Sequence, residues 1–389
     1  MTEHALAKNG LGEAAVERII DALLASGARF CADSFRRDAL STLSQLELKD
    51  RVRHLITVMS VHLPSSFPET AYILGELKEH WPQPNEDKDK DENEDKNEDE
   101  AEDQKQYYFA AWPIVDYVAK YGLNHPEIAL PLLRYLTPLF TAEFAIRPFL
   151  EVHPEETYSQ MLMWCLDSNE HVRRLASEGI RPRLPWGKQL PQYIKNPAPV
   201  ISLLENLKDD PSDYVRRSVA NNLNDIAKDH PELVIDTCKS WQAQKVTARE
   251  WIIRHATRTL VKEGHPKVFA LLGFTQKPKL KVEPPTLSTR HLILGDPLGM
   301  KVQISSSSED KQYVVIDYAV HYIKANGQSS AKVFKWKNLR LKPGQTLTLE
   351  KSHPFKKITT RRHYSGTHQI EILVNGQHAS VSAFELHIP

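Results

Sequence analysis

Three stretches in the middle of the chain repeat one another, and they limit the fold more than any other feature. DSNEHVRRLASEG at 167–179, DPSDYVRRSVANN at 210–222 and TAREWIIRHATRT at 247–259 align so that Arg174, Arg217 and Arg254 fall 43 and 37 residues apart. A period near 40 with paired helices describes a unit that cannot bury its apolar face alone and must stack on its neighbours, as HEAT-like repeats do. Each copy opens on a polar turn (Asp167 to Asn169, Asp210 to Asp213, Thr247 to Glu250), and such residues cap the helix that follows.

The repeats lie inside a longer helical regime, residues 11–274, with apolar residues three and four apart. Val16, Ile19, Ile20, Leu23 and Leu24 form one stripe; Leu48, Val52, Leu55, Ile56 and Met59 form another. Beyond residue 277 the period changes to two. Val314, Ile316, Tyr318, Val320 and Tyr322 alternate with the residues between them, as in a strand. Leu347 with Leu349, and Ile370 with Ile372 and Val374, add further strands. Asn326-Gly327 and Asn375-Gly376 stand where type I′ hairpin turns are expected. About seven strands in roughly 110 residues fit an antiparallel sandwich of immunoglobulin type. The predicted fold is therefore an all-α HEAT-like-repeat solenoid over 1–276, an extended linker over 277–289, and an all-β immunoglobulin-like sandwich over 290–389.

The net charge of zero hides an uneven distribution. Residues 85–105 hold 12 acids and 4 lysines with almost nothing apolar, which predicts a disordered, solvated insertion between helices. From residue 276 onward there are 17 basic against 8 acidic residues, a balance that suits a polyanionic partner. Cys31, Cys165 and Cys238 form no C-x-x-C pair, which excludes a disulfide framework and a cysteine zinc site. His171, His230 and His255 recur without ligand spacing, so no metal is expected. No P-loop, G-x-G-x-x-G, G-x-S-x-G or H-E-x-x-H occurs, and no cofactor is expected. No apolar run approaches the ~20 residues that span a bilayer. The first residues show no basic-then-apolar pattern, so a cytoplasmic location without membrane attachment is expected.

Repeated arginines are the first candidates for function. Arg173, Arg174, Arg216, Arg217, Arg254 and Arg258 recur through the repeats, spaced to meet the phosphates of a duplex. HEAT-type units also use arginine and aspartate to tie neighbours together. The second arginine of each pair is the better structural candidate and the first the better phosphate contact. The segment 180–188, IRPRLPWGK, sets Trp186 on a proline-stiffened turn amid Arg181, Arg183 and Lys188, an arrangement that suits packing against a nucleotide. Three acids lie among these cations: Glu143, placed at the start of a helix in TAEFAIRPF, Glu178 one turn after Arg174, and Asp225 in NLNDIAKD. Acids in a phosphate-binding groove either neutralise neighbouring arginines or stabilise a developing cation and activate water. In the C-terminal module, Lys356, Lys357, Arg361 and Arg362 cluster in a predicted loop.

Taken together, TAEFAIRPF, HVRRLASEGIRPRLPW and DDPSDYVRRSVANNLNDIAKDHP resemble the AlkC branch of the bacterial AlkC/AlkD alkylpurine DNA glycosylases. LKPGQTLTLEKSHPFKKITTRRHYSGTH resembles the immunoglobulin-like domain of one AlkC subgroup. The resemblance implies a monofunctional, metal-free glycosylase that removes cationic methylated bases, 3-methyladenine first, from duplex DNA without flipping the base. It implies that Glu143, Glu178 and Asp225 are the active-site carboxylates and that Trp186 packs near the damaged nucleotide. The expected partner is alkylated double-stranded DNA, engaged by a monomer. The competing reading is a solenoid that binds DNA or scaffolds proteins without catalysis.

Overall fold

Apolar stripes of the first 226 residues close into helix pairs. The structure, a computed structural model, describes residues 10–82, 107, 109–358 and 362–389, so the acidic segment 85–105 and Arg361 lie outside the described residues. The chain divides into two compact units, Met1–Ile226 and Ala227–Pro389. Among the described residues the first unit holds α1 (Glu13–Ala25), α2 (Ala32–Leu43), α3 (Leu48–His62), α4 (Phe67–His80), α5 (Trp112–Tyr121) and α6 (Pro126–Leu136). It continues with α7 (Arg147–Val152), α8 (Pro154–Trp164), α9 (Glu170–Gly179), α10 (Pro191–Lys195), α11 (Ala198–Glu205) and α12 (Asp213–Ile226). Both predicted stripes are buried except Leu24 at the end of α1. No helix of the described residues is long and apolar enough to cross a membrane.

The second helices of two successive repeats, α9 and α12, pack against each other. In the third repeat the expected polar turn does not cap: the helix starts at Thr247 itself, with Val246 before it and no side-chain cap. The expected capping holds for α9, where Asn169 accepts a bond from the His171 N–H at 2.8 Å; ahead of α12, Asp210 accepts one from the Ser212 N–H at 2.9 Å. Asp210 also joins the two repeats, because Arg173 of α9 grips it through Nε and Nη2 at 2.6 and 3.0 Å. Another Arg173 nitrogen caps the Asp167 and Ser168 carbonyls. Arg216 donates to the Asp210 carbonyl and the Asp213 carboxylate. The tie between units thus falls on the first arginine of the pair, the one expected to face phosphate.

Among the described residues the second unit opens with α13 (Pro231–Gln242), α14 (Thr247–Ala256), α15 (Arg258–Lys262) and α16 (Pro266–Leu271) and continues into nine strands. One sheet contains β1 (Leu280–Val282), β2 (Thr286–Leu287), β4 (Pro297–Ser306) and β7 (Thr346–Pro354). The other runs β3 (His291–Ile293), β9 (Gln377–His387), β8 (Gly366–Val374), β5 (Gln312–Ile323), β6 (Ser329–Leu341). Val314, Ile316, Tyr318, Val320 and Tyr322 all face the sandwich core, as their alternation predicts. Val315, on the opposite face of β5, packs with Phe269 and Phe274 from the helical part of the same unit. Burial on both faces follows.

Four local expectations are corrected. Glu143 does not begin a helix: residues 142–146 form a turn, and α7 starts at Arg147, next to Pro148, which fits a first helical turn. The stretch 277–289 is not a plain linker, since β1 and β2 within it pair with β4. The sandwich is not wholly antiparallel, because β3 runs parallel to β9. Asn375 and Gly376 both take positive φ, but at 326–327 only Gly327 does. There a turn closed by the Gly327 N–H on the Lys324 carbonyl makes a three-residue loop.

The Arg173–Asp210 pair has side chains only 13% and 3% exposed. Truncating one partner leaves a buried charge uncompensated, so Asp210→Ala is expected to cost about 3 kcal/mol in urea denaturation. Arg173→Met combined with Asp210→Leu should recover most of that loss. A loss below about 0.5 kcal/mol for Asp210→Ala would place the pair among solvent-screened bridges.

Candidate active site

Three acids from separate segments converge on two arginines. Glu143 is set by the turn before α7, Glu178 by the last turn of α9 and Asp225 by the last turn of α12. Arg174 Nη1 lies 2.8 Å from Glu143 Oε2, and its Nη2 is 3.7 Å from Glu178 Oε1. Arg181 then meets Glu178 Oε1 at 2.5 Å and gives both Nε and Nη2 to Asp225 Oδ2 at 2.8 Å. The result is a continuous line, Glu143–Arg174–Glu178–Arg181–Asp225. The Ser218 hydroxyl donates to the remaining Glu178 oxygen at 2.6 Å, and the Thr141 hydroxyl donates to Glu143 at 2.9 Å.

Exposure of the three acids falls along this line. The Glu143 and Arg174 side chains are 12% and 15% exposed, Glu178 6% and Asp225 3%. Burial works against the charge on Arg174, yet Glu143 and Glu178 hold its pKa above the ordinary guanidinium value. Arg181 shows the same contest, won by Glu178 and Asp225. Both cations therefore stay charged. The Arg174 guanidinium also lies over the Tyr214 ring, 4.7 Å from its centre. Burial pushes the phenol up, and the Glu143 and Glu178 charges add to that, so it stays a hydroxyl donor at neutral pH.

The 180–188 loop is held from beneath by Arg147, which is 2% exposed. Its Nε donates to the Lys188 carbonyl at 2.6 Å, and Nη1 donates to the Gly179 and Arg181 carbonyls at 2.8 and 2.9 Å. Burial, together with the nearby Arg181 charge, lowers its pKa to about 10. Trp186 stands out from the loop 65% exposed, on a left-handed backbone with φ 63°, and its carbonyl accepts from Lys49 at 2.8 Å. A cavity of about 220 Å3 beside it is lined by Lys49, Trp112, Asp116, Phe144, Arg147 and Trp186, among others. Burial pushes the Asp116 carboxyl up to about 6, against the pull of the Trp112 indole N–H at 2.8 Å and of the Lys49 charge.

The structure thus gathers Glu143, Glu178, Asp225, Arg174 and Arg181 at one place. Arg181, expected as a DNA contact, is buried with its donors on two carboxylates. Arg173 is likewise committed to Asp210. Arg183 and Arg258 are half-buried, while Arg217 and Arg254 are exposed. Exposed Lys188 pairs with Glu151. Lys356, Lys357 and Arg362 are exposed in the connection between β7 and β8, as predicted. Arg147, Tyr214, Ser218, Lys49 and Asp116 were not singled out by the sequence reading. Ser218 did leave a trace there, being one of several polar residues on the buried face of α12 with Asn222 and Asp225.

Two family models match the chain: DNA alkylation repair enzyme over residues 140–260, and the C-terminal Ig-like domain of uncharacterised protein YhaZ over 281–388. The chain belongs to the AlkC branch of the DNA alkylation repair enzymes, as the sequence resemblance implied. The uncharacterized protein YhaZ of Bacillus subtilis is 37% identical over 333 residues, covering 86% of this chain and 85% of that one. A solved structure of Pseudomonas fluorescens alkylpurine DNA glycosylase AlkC, bound to DNA containing an abasic site analogue, is 33% identical. It matches with a TM-score of 0.87 over 98% of this chain and 99% of that one.

Two measurements test this geometry. Arg147→Met removes the donors to three loop carbonyls and should cost about 3 kcal/mol. It should also raise amide exchange over 180–190 well above that of α9; unchanged exchange there would show the loop does not depend on Arg147. The second concerns Asp116, whose folded pKa near 6 exceeds the unfolded carboxylate value. Its contribution is therefore fully present below about pH 4 and is lost as pH rises through 6. Urea denaturation of Asp116→Asn should lack up to about 3 kcal/mol of the decline that the wild type shows between pH 4 and 7. Superimposable profiles would contradict the burial assigned to this carboxyl.

Proposed function

We propose that the chain is a monofunctional DNA glycosylase that hydrolyses the N-glycosidic bond of cationic alkylated purines, 3-methyladenine first, in duplex DNA. The observation that carries this reading is the line of three carboxylates from three segments, held ready by two charged guanidiniums. A base methylated at N3 is already cationic and departs as a neutral molecule, so no acid is needed to protonate it. The demand falls on the sugar, which gains oxocarbenium character as in other glycoside hydrolysis.

Glu143 is the most exposed carboxylate and is assigned to that sugar. One carboxylate about 4 Å from the cationic carbon offers about 4 kcal/mol at an effective dielectric near 20. That is about three powers of ten in rate. Glu178 and Asp225, tied to Arg181, hold the field in place, and Glu178 also keeps Arg174 beside Glu143. Trp186 is assigned to pack against the damaged nucleotide. Arg183, Lys188, Arg217, Arg254, Arg258, Lys356, Lys357 and Arg362 remain the candidate phosphate contacts, with Arg361 as expected from sequence.

Single-turnover release of free base from methylated duplex DNA tests the reading. Wild type should release 3-methyladenine. Glu143→Gln and Glu178→Gln should each fall by about two to three powers of ten with DNA affinity within a few-fold. Asp225→Asn should fall as well, with some loss of stability because Arg181 loses its partner. No release by a folded wild type would leave a DNA-binding solenoid without catalysis.

A further inference from the structure

A second cavity, of about 170 Å3, lies wholly within the second unit. Its cationic residues are Arg254, Arg258 and Lys262 from α14 and α15, and Lys335 from β6. Its apolar wall includes Leu272, Phe274 and Val315. Tyr313 closes one side, its ring stacked on Phe274 at 4.3 Å with the Arg340 guanidinium 5.3 Å from the ring centre. The wall is therefore formed in advance of any ligand.

Among these cations the cavity also contains a carboxylic acid, Asp317, only 4% exposed. The β5–β6 register shifts between Ile316 and Asp317, which pair with Lys337 and Lys335 and leave Trp336 as the extra residue. Bulges of this kind re-aim side chains next to binding sites. The bulged Trp336 N–H donates to Asp317 Oδ1 across 3.3 Å, which is the only hydrogen bond of that carboxyl among the described residues. Lys335, Lys262 and Lys351 act on it through their charge, while burial raises its pKa. A carboxyl group has about four acceptor positions, so most of its capacity is unused.

A plain phosphate seat has no use for a buried carboxyl, which repels the anion. A ligand that fits all the groups carries a flat, mostly apolar body, an N–H donor for Asp317 and an anionic group for the cations. We propose that this cavity binds a nucleotide, with an amine or ring N–H of the base on Asp317 and its phosphate on Arg254, Lys262 and Lys335. Carboxylates accept from base amines in this way elsewhere. The source is either a free mononucleotide or one unpaired nucleotide of a DNA strand. The inference shares Arg254 with the phosphate contacts of the glycosylase reading but does not depend on the carboxylate line of the first unit.

Calorimetric titration of the full chain with dGMP, dAMP and dCMP, their nucleosides and inorganic phosphate tests it. At least one monophosphate should bind about tenfold or more tighter than its nucleoside and than phosphate. Asp317→Asn and Lys335→Gln should each weaken it about tenfold. Lys335 is exposed, so its variant stays informative if Asp317→Asn folds poorly. A single-stranded hexanucleotide that displaces the monophosphate in the wild type identifies a DNA strand as the source; binding of the monophosphate without such displacement identifies a free nucleotide. No monophosphate or displacing oligonucleotide binding up to millimolar concentration, or binding that both variants leave unchanged, overturns the proposal.

Discussion

Arg147 donates to carbonyls on both sides of one loop while almost wholly removed from water, and the candidate site of the first unit is built around that contact. Gly179 and Arg181 stand at the exit of α9, and Lys188 lies past Trp186. One guanidinium thereby fixes the end of the helix that carries Glu178 and both flanks of the turn that carries Trp186. The last carbonyls of a helix lack intrahelical partners and carry partial negative charge, so a cation there satisfies two needs together. The device recurs. Arg51, 8% exposed, donates to the Leu46, Ser44 and Leu11 carbonyls, and Arg249, 5% exposed, reaches the Trp241 carbonyl near the end of α13.

Adjacent arginines serve opposite ends because a helix turns about 100° per residue. Arg173 points toward the turn that begins the next repeat, where Asp210 waits. Arg174 points toward the preceding segment, where Glu143 and Thr141 meet it. The Val-Arg-Arg motif can therefore tie a repeat to its successor and build a site with its predecessor. The same rotation on α12 turns Ser218 and Asp225 inward to Glu178 and Arg181, while leaving Arg217 exposed.

Architecture was legible in the sequence where one physical pattern dominates. A 3.6-residue stripe such as Val16, Ile19, Ile20 and Leu23 has one way to be buried, and so has the alternation along β5. The three acids were legible because charge of that sign is out of place among arginines. The division of labour between Arg173 and Arg174 was not, since spacing alone cannot say which neighbour each one meets. Arg147 was hidden for a related reason: its partners are main-chain carbonyls 32 to 41 residues away, and carbonyls leave no mark in a sequence. Asp116 and Lys49 belong to helices far from the repeats, and their bonds to Trp112 and the Trp186 carbonyl form across long sequence gaps or within one helix, where no motif marks them. The turn at 142–146 differs from the expected helix because Pro148 favours a helix start beside it and not several residues earlier.

The exposure gradient from Glu143 to Asp225 gives the line its direction. A carboxylate that stabilises a transient cation must meet it, yet must not be so hydrated that water has already screened its field. At the buried end both Glu178 oxygens are taken by Arg181 and Ser218, and Asp225 Oδ2 receives two Arg181 donors in a side chain only 3% exposed. At the open end Glu143 Oε2 is held by Arg174 and Thr141, while no such bond engages Oε1 among the described residues. The buried acids keep Arg181 in place, and Glu178 with Glu143 keeps Arg174 in place. Arg174 and Thr141 in turn hold the outermost carboxylate through Oε2 alone. An isolated glutamate on the same turn would lose its orientation to rotation and much of its field to water, so in the proposed reading the two buried acids serve by keeping the arginines in place.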